Sequence, residues 1–380
     1  MPGDGSVSIG FLVNPIAGMG GRVALKGTDG DALRLAIERG AATRAPGRAG
    51  EFLAAVVKLA VRAPWLTAGG PMGGAALDAA NLPHTAVLSP EDAVTSAADT
   101  QRACREFLAR GAKVIIFVGG DGTARDIFEV VGTEVPILGV PSGVKMHSGV
   151  FALTPAATAE LLRDFVEGRA QVVDGDVVDE DEEAMRQGRI EVELRGVAKT
   201  LDAGGLLQAS KEEYGGEVEE VSKKGIADNI LERMDNDTLY LFGPGSTTGA
   251  VLEAMGLPHT MLGVDIVLGR RLLKADATDT DIKAAVAKHG GPVEIIASVI
   301  GQQGFVFGRG NLQFTPEIIR GVGRKRITIV AAERKVEALQ ELLVDTGDPA
   351  LDRELAGHWR VLCGYRWNVL LPMRAPPSPE

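Results

Sequence analysis

Apolar runs closed by glycine turns organise the first part of the chain. Ser8 to Val13 reads as a short buried strand that passes into Asn14-Pro15 and a glycine-rich loop, Gly18 to Gly21. Ala32 to Ala42 and Gly50 to Val61 have helical spacing, and Trp65 to Ala68 and Thr85 to Leu88 have the length of strands. Ser89-Pro90-Glu91 carries the signature of a helix start, with Ser89 as N-cap and Pro90 at the first position, and predicts a helix to about Arg110. Lys113 to Val118 is an unbroken apolar run of the kind buried on both faces of a parallel sheet. A helix over Thr123 to Val131 and a strand over Val135 to Val140 follow. Strands alternating with helices predict a parallel sheet covered on both faces.

Beyond Gly168 the pattern changes. Gln171 to Val178 is strand-like, Asp179 to Glu183 is an acidic run expected to be a solvated turn, and Arg189 to Leu194 alternates with period two, as an antiparallel strand does. Thr238 to Phe242 predicts a strand running into Gly243-Pro244-Gly245, with a helix from Ser246 to Met255. Pro292 to Ile300, Gly304 to Phe307 and Arg326 to Val330 add β-structure, Val336 to Val344 reads as helix, and Arg360 to Tyr365 and Trp367 to Leu371 are closing strands. No internal repeat is present. These changes suggest an α/β domain over 1–160, a β-rich domain over 161–345, and C-terminal strands with a proline-rich tail over 346–380 that can return to either domain.

Composition restricts the function classes. A chain of 380 residues accommodates two domains, and 45% apolar with 24% charged residues is ordinary for a soluble globular protein. A net charge of −11 argues against a nucleic-acid or anionic-membrane surface as the main partner. Two cysteines, Cys104 and Cys363, are expected to be reduced thiols of a cytoplasmic protein. No signal peptide is recognisable at the N-terminus, and the Ala54 to Ala63 run is too short and too charged to span a bilayer.

The candidate chemistry lies in three glycine loops that each follow a predicted strand: NPIAGMGGR at 14–22, GGDGTARD at 119–126 and GPGSTTG at 243–249. Glycine lets the backbone approach phosphate oxygens, and the helix after each loop adds its partial positive end. One such loop is as readily a plain tight turn; three, one with an embedded carboxylate, point to phosphate. No G-x-x-x-x-G-K-[ST] sequence occurs, and no G-x-G-x-x-G follows the first strand, so neither a P-loop enzyme nor a plain dinucleotide dehydrogenase fits. Asp121, flanked by Gly120 and Gly122, is suited to take a proton from an attacking hydroxyl or to help hold Mg²⁺; the bland alternative is an Asp bonding its own turn. Lys145 and His147 follow the Val135 to Val140 strand and can meet phosphate and base, or merely sit in a surface loop. Arg309, between Gly308 and Gly310, can clamp phosphate, the alternative being a hairpin turn. Arg270-Arg271 with Lys274 reads as a solvated face. The five histidines are scattered, and neither a zinc-ligand spacing nor a Ser-His-Asp arrangement is recognisable.

The first loop and GGDGT together resemble the superfamily of NAD kinases, diacylglycerol and sphingosine kinases and phosphofructokinase-like enzymes. The downstream GPGSTTG, GVPSGVKMHSGVFA at 139–152 and GQQGFVFGRGNLQFTPEIIR at 301–320 are similar to the ATP-NAD kinase/AcoX-type family. That resemblance implies an N-terminal α/β domain and a largely β C-terminal domain with the site between them. It implies transfer of the γ-phosphoryl group of ATP, or of polyphosphate, to the 2′-hydroxyl of NAD, with Mg²⁺ brought by the donor. Asp121 would be the base; Gly119, Gly120, Gly122 and Thr123 would line phosphates; Gly245, Ser246, Thr247 and Thr248 would hold phosphate from the second domain. Asn14 and Arg22 would belong to the first loop's nucleotide contact. The chain departs from NAD kinases in two places. No Asn-Asn-Glu-like segment grips the ribose, Asp228-Asn229 being the nearest polar pair, and Thr248-Gly249 replaces the usual alanine-tyrosine. Alternatives are a kinase of the same fold acting on a lipid or small-metabolite hydroxyl, or a non-catalytic nucleotide-binding regulator. A cytoplasmic homo-oligomer, dimer or tetramer, is expected, with small-molecule nucleotides as partners and neither nucleic acid nor membrane.

Overall fold

The structure, a computed structural model, describes residues 7–18, 43–90, 95–142, 146–180, 192–202, 217–300 and 304–375. These residues fall into two compact units, one of 7–18 and 43–202, the other of 217–375. The division therefore comes near residue 211, about fifty residues later than the boundary at 160 expected from sequence texture. The chain after residue 170 still belongs to the first unit because its two strands pair with each other and pack against the first unit's helix and sheet edge.

In the first unit, β1 (Ile9–Val13), β2 (Trp65–Ala68), β3 (His84–Leu88), β4 (Val114–Gly119) and β5 (Ile137–Pro141) form one sheet in the order β3-β2-β1-β4-β5. Every pairing in it is parallel. Side chains alternate between the faces, and both faces are apolar. Ile9, Phe11, Val114, Ile116 and Val118 face one core, with Phe52 of α1 (Ala45–Lys58) and Leu161 of α5 (Pro155–Val166). Leu12, Ile115 and Phe117 face the other, with Phe107 of α3 (Ala97–Ala109) and Ile127 of α4 (Asp121–Val131). A short helix, α2 (Gly74–Ala79), follows β2. The order runs outward in both directions from β1 and β4, so the sheet has a topological switch point between those two strands.

Two strands complete the unit: β6 (Gln171–Glu180) and β7 (Val192–Asp202), paired antiparallel. The alternating 189–194 segment is thus the start of an antiparallel strand from Val192, with 189–191 outside the described residues. Asp179 is not in a solvated turn. It lies within β6, where Arg125 of α4 donates to its carboxylate at 2.5 Å. The helix expected to begin at Ser89 starts instead after Ser96. There the Ser96 N–H and hydroxyl both donate to Asp99 at 2.8 Å, which closes the first turn. The helix expected over 32–42 lies outside the described residues.

The second unit is built on a nine-stranded mixed sheet. In chain order it contains α6 (Glu217–Arg233), β8 (Leu239–Phe242), α7 (Ser246–Ala254), β9 (Val264–Leu268), β10 (Arg271–Ala277), α8 (Asp279–His289), β11 (Val293–Ser298), β12 (Phe305–Phe307), α9 (Pro316–Val322), β13 (Ile327–Val330), α10 (Glu333–Glu337), β14 (Leu342–Val344), α11 (Pro349–Leu355), β15 (Gly357–Gly364) and β16 (Trp367–Arg374). The sheet order is β10-β9-β8-β11-β13-β15-β16-β14-β12. The central run β8, β11, β13, β15 is parallel. The expected helix over 336–344 is a correction: α10 ends at Glu337, and 342–344 form β14, whose backbone pairs with β12 and β16. The closing strands form the hairpin β15–β16 and belong to this unit. Among the described residues no helix is long and apolar enough to cross a membrane. Cys104 and Cys363 are free and buried, and burial pushes the first thiol up to about 12 and the second to about 11.

Two positions test this packing. A Cβ on Gly139 of β5 would lie 2.2 Å from Phe151 and 2.9 Å from Phe117, whose rings meet edge to face. Gly139→Ala should therefore cost about 1–3 kcal/mol, the scale of core overpacking, read by urea unfolding. Lys335 of α10 donates to the Val299 carbonyl, and loss of solvation lowers its ammonium from 10.5 to about 8. The unfolded chain then binds more protons than the folded one above pH 8, so this group adds stability as pH rises from about 8 to 10.5. Lys335→Met should flatten that rise in the pH dependence of unfolding.

Candidate functional site

The carboxyl ends of β1 and β4 lie side by side at the switch point, the place where open parallel sheets bind ligands. Asn14 follows β1 and Gly120-Asp121 follows β4. The two loops are tied together: Asn14 Nδ2 donates to Thr123 Oγ1 at 2.9 Å, while Asn14 Oδ1 accepts from the Ile16 N–H at 3.2 Å. Gly119 makes this junction possible, because a Cβ there would lie 2.6 Å from Thr123. Gly122 is different. Among the described residues a Cβ on it would meet only Arg125 Nη2, at 4.0 Å, so their packing does not require a glycine. Leaving that space clear suits a ligand approaching the backbone. On the other side of β4, Ser142 donates to the Gly119 carbonyl at 3.0 Å, and its own carbonyl occupies the space beside Gly18, 2.1 Å from where a Cβ would stand.

Asp121 is the first residue of α4, and Gly120 before it gives the helix no side-chain cap. The residue is 8% exposed. It turns toward the chain after β5, where Oδ2 accepts from the His147 N–H at 2.7 Å. Oδ1 accepts from the Ser148 N–H at 2.9 Å and the Ser148 hydroxyl at 2.6 Å. Burial pushes the carboxyl above the usual carboxylate range, while His147 and the hydrogen bonds from Ser148 and His147 pull it back. Oδ1 has two donors and Oδ2 one, so Oδ2 keeps an acceptor direction for a further proton. The reading of Asp121 as a residue bonding only its own turn does not hold, since all three donors come from 26 or 27 residues away.

In the second unit the GPGSTTG segment joins β8 to α7. Gly245 is the N-cap at φ 120°, a conformation that favours glycine, and a Cβ would lie 2.7 Å from Ser298 Oγ. Ser298, at the end of neighbouring β11, donates to the Pro244 carbonyl at 2.6 Å and so holds the turn from below. Thr248 closes the first helical turn by donating to the Gly245 carbonyl at 2.8 Å. Thr247 and Thr248 are buried, whereas Ser246 is exposed at the helix start, which carries no side-chain cap. Its first-turn N–H groups and its positive end suit an anion.

The remaining predicted residues are distributed unevenly. Arg22 and Lys145 lie outside the described residues. His147 is half-buried and contributes its backbone N–H to Asp121. Arg309 is buried with its guanidinium 4.1 Å from the centre of the Phe305 ring. The glycines on either side of it do not leave ligand room as expected. The Asp345 carbonyl fills the place of a Cβ on Gly308, and Ile300 lies 3.1 Å from one on Gly310. Arg270, Arg271 and Lys274 are exposed, as a solvated face. Sequence reasoning did not single out Ser142, Ser148 or Ser298. The signal for Ser148 was a small polar residue at the head of the apolar stretch GVFAL; the other two are recognisable only by the carbonyls they reach.

Among the described residues no group of three or more His, Cys, Asp or Glu side chains could hold a metal ion.

A search of curated proteins gives no match. Among solved structures, a diacylglycerol kinase from Bacillus anthracis str. Sterne aligns at 19% identity over 46% of this chain and 48% of its own, with a TM-score of 0.23, a likeness too slight to carry an argument. The chain thus spans about half the length of that relative. The ATP-NAD kinase N-terminal domain model matches residues 9–170, which hold both switch-point loops and Ser148, and the ATP-NAD kinase C-terminal domain model matches 235–373, which hold GPGSTTG and the nine-stranded sheet. With both family domains matched in order over most of its length, the chain belongs to the ATP-NAD kinase family.

Proposed function

We propose that the protein is a phosphotransferase that moves the γ-phosphoryl group of ATP, or a terminal phosphoryl of polyphosphate, to the 2′-hydroxyl of NAD, giving NADP. The observation that carries this reading is the Asp121 carboxylate, buried at the switch point beside an unfilled glycine and with one acceptor direction left at Oδ2. The 2′-oxygen forms a bond to the γ-phosphorus as the bond from that phosphorus to the bridging oxygen breaks. ADP leaves with the bonding electrons, and the hydroxyl proton passes to Asp121 Oδ2. A carboxyl held above its usual range is a better proton acceptor than an exposed one. In this reading Gly120, Gly122 and Thr123 line phosphate in the first unit, and in the second the start of α7, Gly245 to Thr248, offers its N–H groups to an anion. Mg²⁺, if brought with the donor, would supply charge neutralisation at its phosphates. The reading goes with a cytoplasmic homo-oligomer acting on small nucleotides.

Transfer to another hydroxyl is the second reading. It is favoured by Asp228-Asn229, the nearest candidate for a ribose grip, which lies in mid-helix in α6 with Asp228 exposed.

Purified protein with NAD and either MgATP or magnesium polyphosphate should form NADP, followed by an NADP-specific dehydrogenase assay. Absence of product with both donors would refute NAD as acceptor. Asp121→Asn should lower turnover by at least about a hundredfold, the scale of a positioned acid-base group. Activity should fall on the acid side at a pH above the ordinary carboxylate range, because the ionised form is the active one and burial favours the neutral form.

A further inference from the structure

The environment of Asp121 has a feature that proton transfer alone does not require. Ser148 is fully buried. Its hydroxyl donates to Asp121 Oδ1 at 2.6 Å and accepts from the Val178 N–H of β6 at 3.1 Å. The next residue continues the attachment, with the Gly149 N–H donating to the Asp176 carbonyl at 2.8 Å. Residues 148 and 149 are therefore fastened to β6 at two points, and the serine hydroxyl takes the Val178 N–H as a backbone carbonyl would. The register of β6 and β7 shifts at the same point. Val177 faces Gly196 but Val178 faces Leu194, a bulge next to the serine contact. Gly196 allows this close to α4, because a Cβ on it would lie 2.3 Å from Phe128. α4 is also tied to β6 by the Arg125–Asp179 pair.

We propose that Ser148 is a positioning residue for Asp121, its hydroxyl fastening the carboxylate to strand β6 so that Oδ1 is committed and Oδ2 faces the acceptor. Two donors from Ser148 fix one oxygen, and a carboxylate held at one oxygen cannot rotate to offer the other. The β6–β7 pair is then part of the site without touching substrate. The titratable groups around the carboxylate are His147 from the same segment and, further along α4, Arg125 and Asp126, which are engaged with each other and with Asp179. The proposal rests on Asp121 being the proton acceptor, but its test does not need the acceptor to be known.

The Asp121 carboxyl is followed by ¹³C NMR titration in the full-length protein, assigned with Asp121→Asn, in wild type, Ser148→Ala and Ser148→Thr. Ser148→Ala removes a donor to the charged form, so the midpoint should rise by about one pH unit, and Ser148→Thr should restore it. If NADP forms, kcat should fall about tenfold in Ser148→Ala with the KM for NAD unchanged, and the acid limb should move with the midpoint. A midpoint unmoved by Ser148→Ala, or moved alike by Ala and Thr, overturns the proposal. If Ser148→Ala does not fold, Ser148→Cys, similar in shape but a weak donor, takes its place in the same comparison. Failure to phosphorylate NAD with a normal midpoint shift would instead refute the acceptor and leave Ser148 in its role.

Discussion

A carboxylate out of water must be held by donors, and in this protein that requirement organises the first unit around Asp121. Burial alone would leave the ionised form costly. Three donors from the segment after β5 offset that cost, and they can reach the carboxylate only because β4 and β5 are parallel neighbours with their carboxyl ends together. The same segment is anchored to β6, and β6 to α4 through Arg125 and Asp179. The small residues around this centre follow from it. Gly119 admits Thr123, Gly139 admits Phe151 against Phe117, and Gly196 admits Phe128.

Where space is left unused is as informative as where it is filled. Most of the glycines near the loops are crowded by the protein's own atoms, so their absence of a side chain is a packing requirement. Gly122 is not crowded, and it is next to the carboxylate. Gly245 takes a backbone conformation that a side chain would strain, and it places the uncapped start of α7 at the end of β8. Each unit by itself thus presents a helix start on a glycine turn at the carboxyl end of parallel strands. The family's N-terminal domain match contains the first of these features and its C-terminal domain match the second.

The central strands of the first unit were legible because β1, β4 and β5 are buried throughout and read as unbroken apolar runs. Segments whose structure depends on distant pairing were harder. Residues 342–344 look like the end of a helix, yet become β14 because β12 and β16 supply partners on both sides. Asp179 looks like part of a solvated acidic turn, yet Arg125, 54 residues earlier, draws it into β6. The helix after β3 is capped by Ser96 and not Ser89, since Asp99 stands three residues beyond Ser96 to complete the cap.

The amino-acid sequence by itself determined the glycine loops, the central carboxylate and the family, because glycine spacing and an embedded aspartate are local properties. It also determined the α/β character of the first unit, through apolar runs of strand length between helical segments. Tertiary structure decided what Asp121 can do. Its donors lie 26 and 27 residues away, and the group that fastens one of them, the Val178 N–H, lies 30 residues further on. Hydrophobic periodicity carries no information about which side chain meets which backbone group across such distances. That is set by strand order, by the switch point between β1 and β4, and by a one-residue shift in the register of β6 and β7.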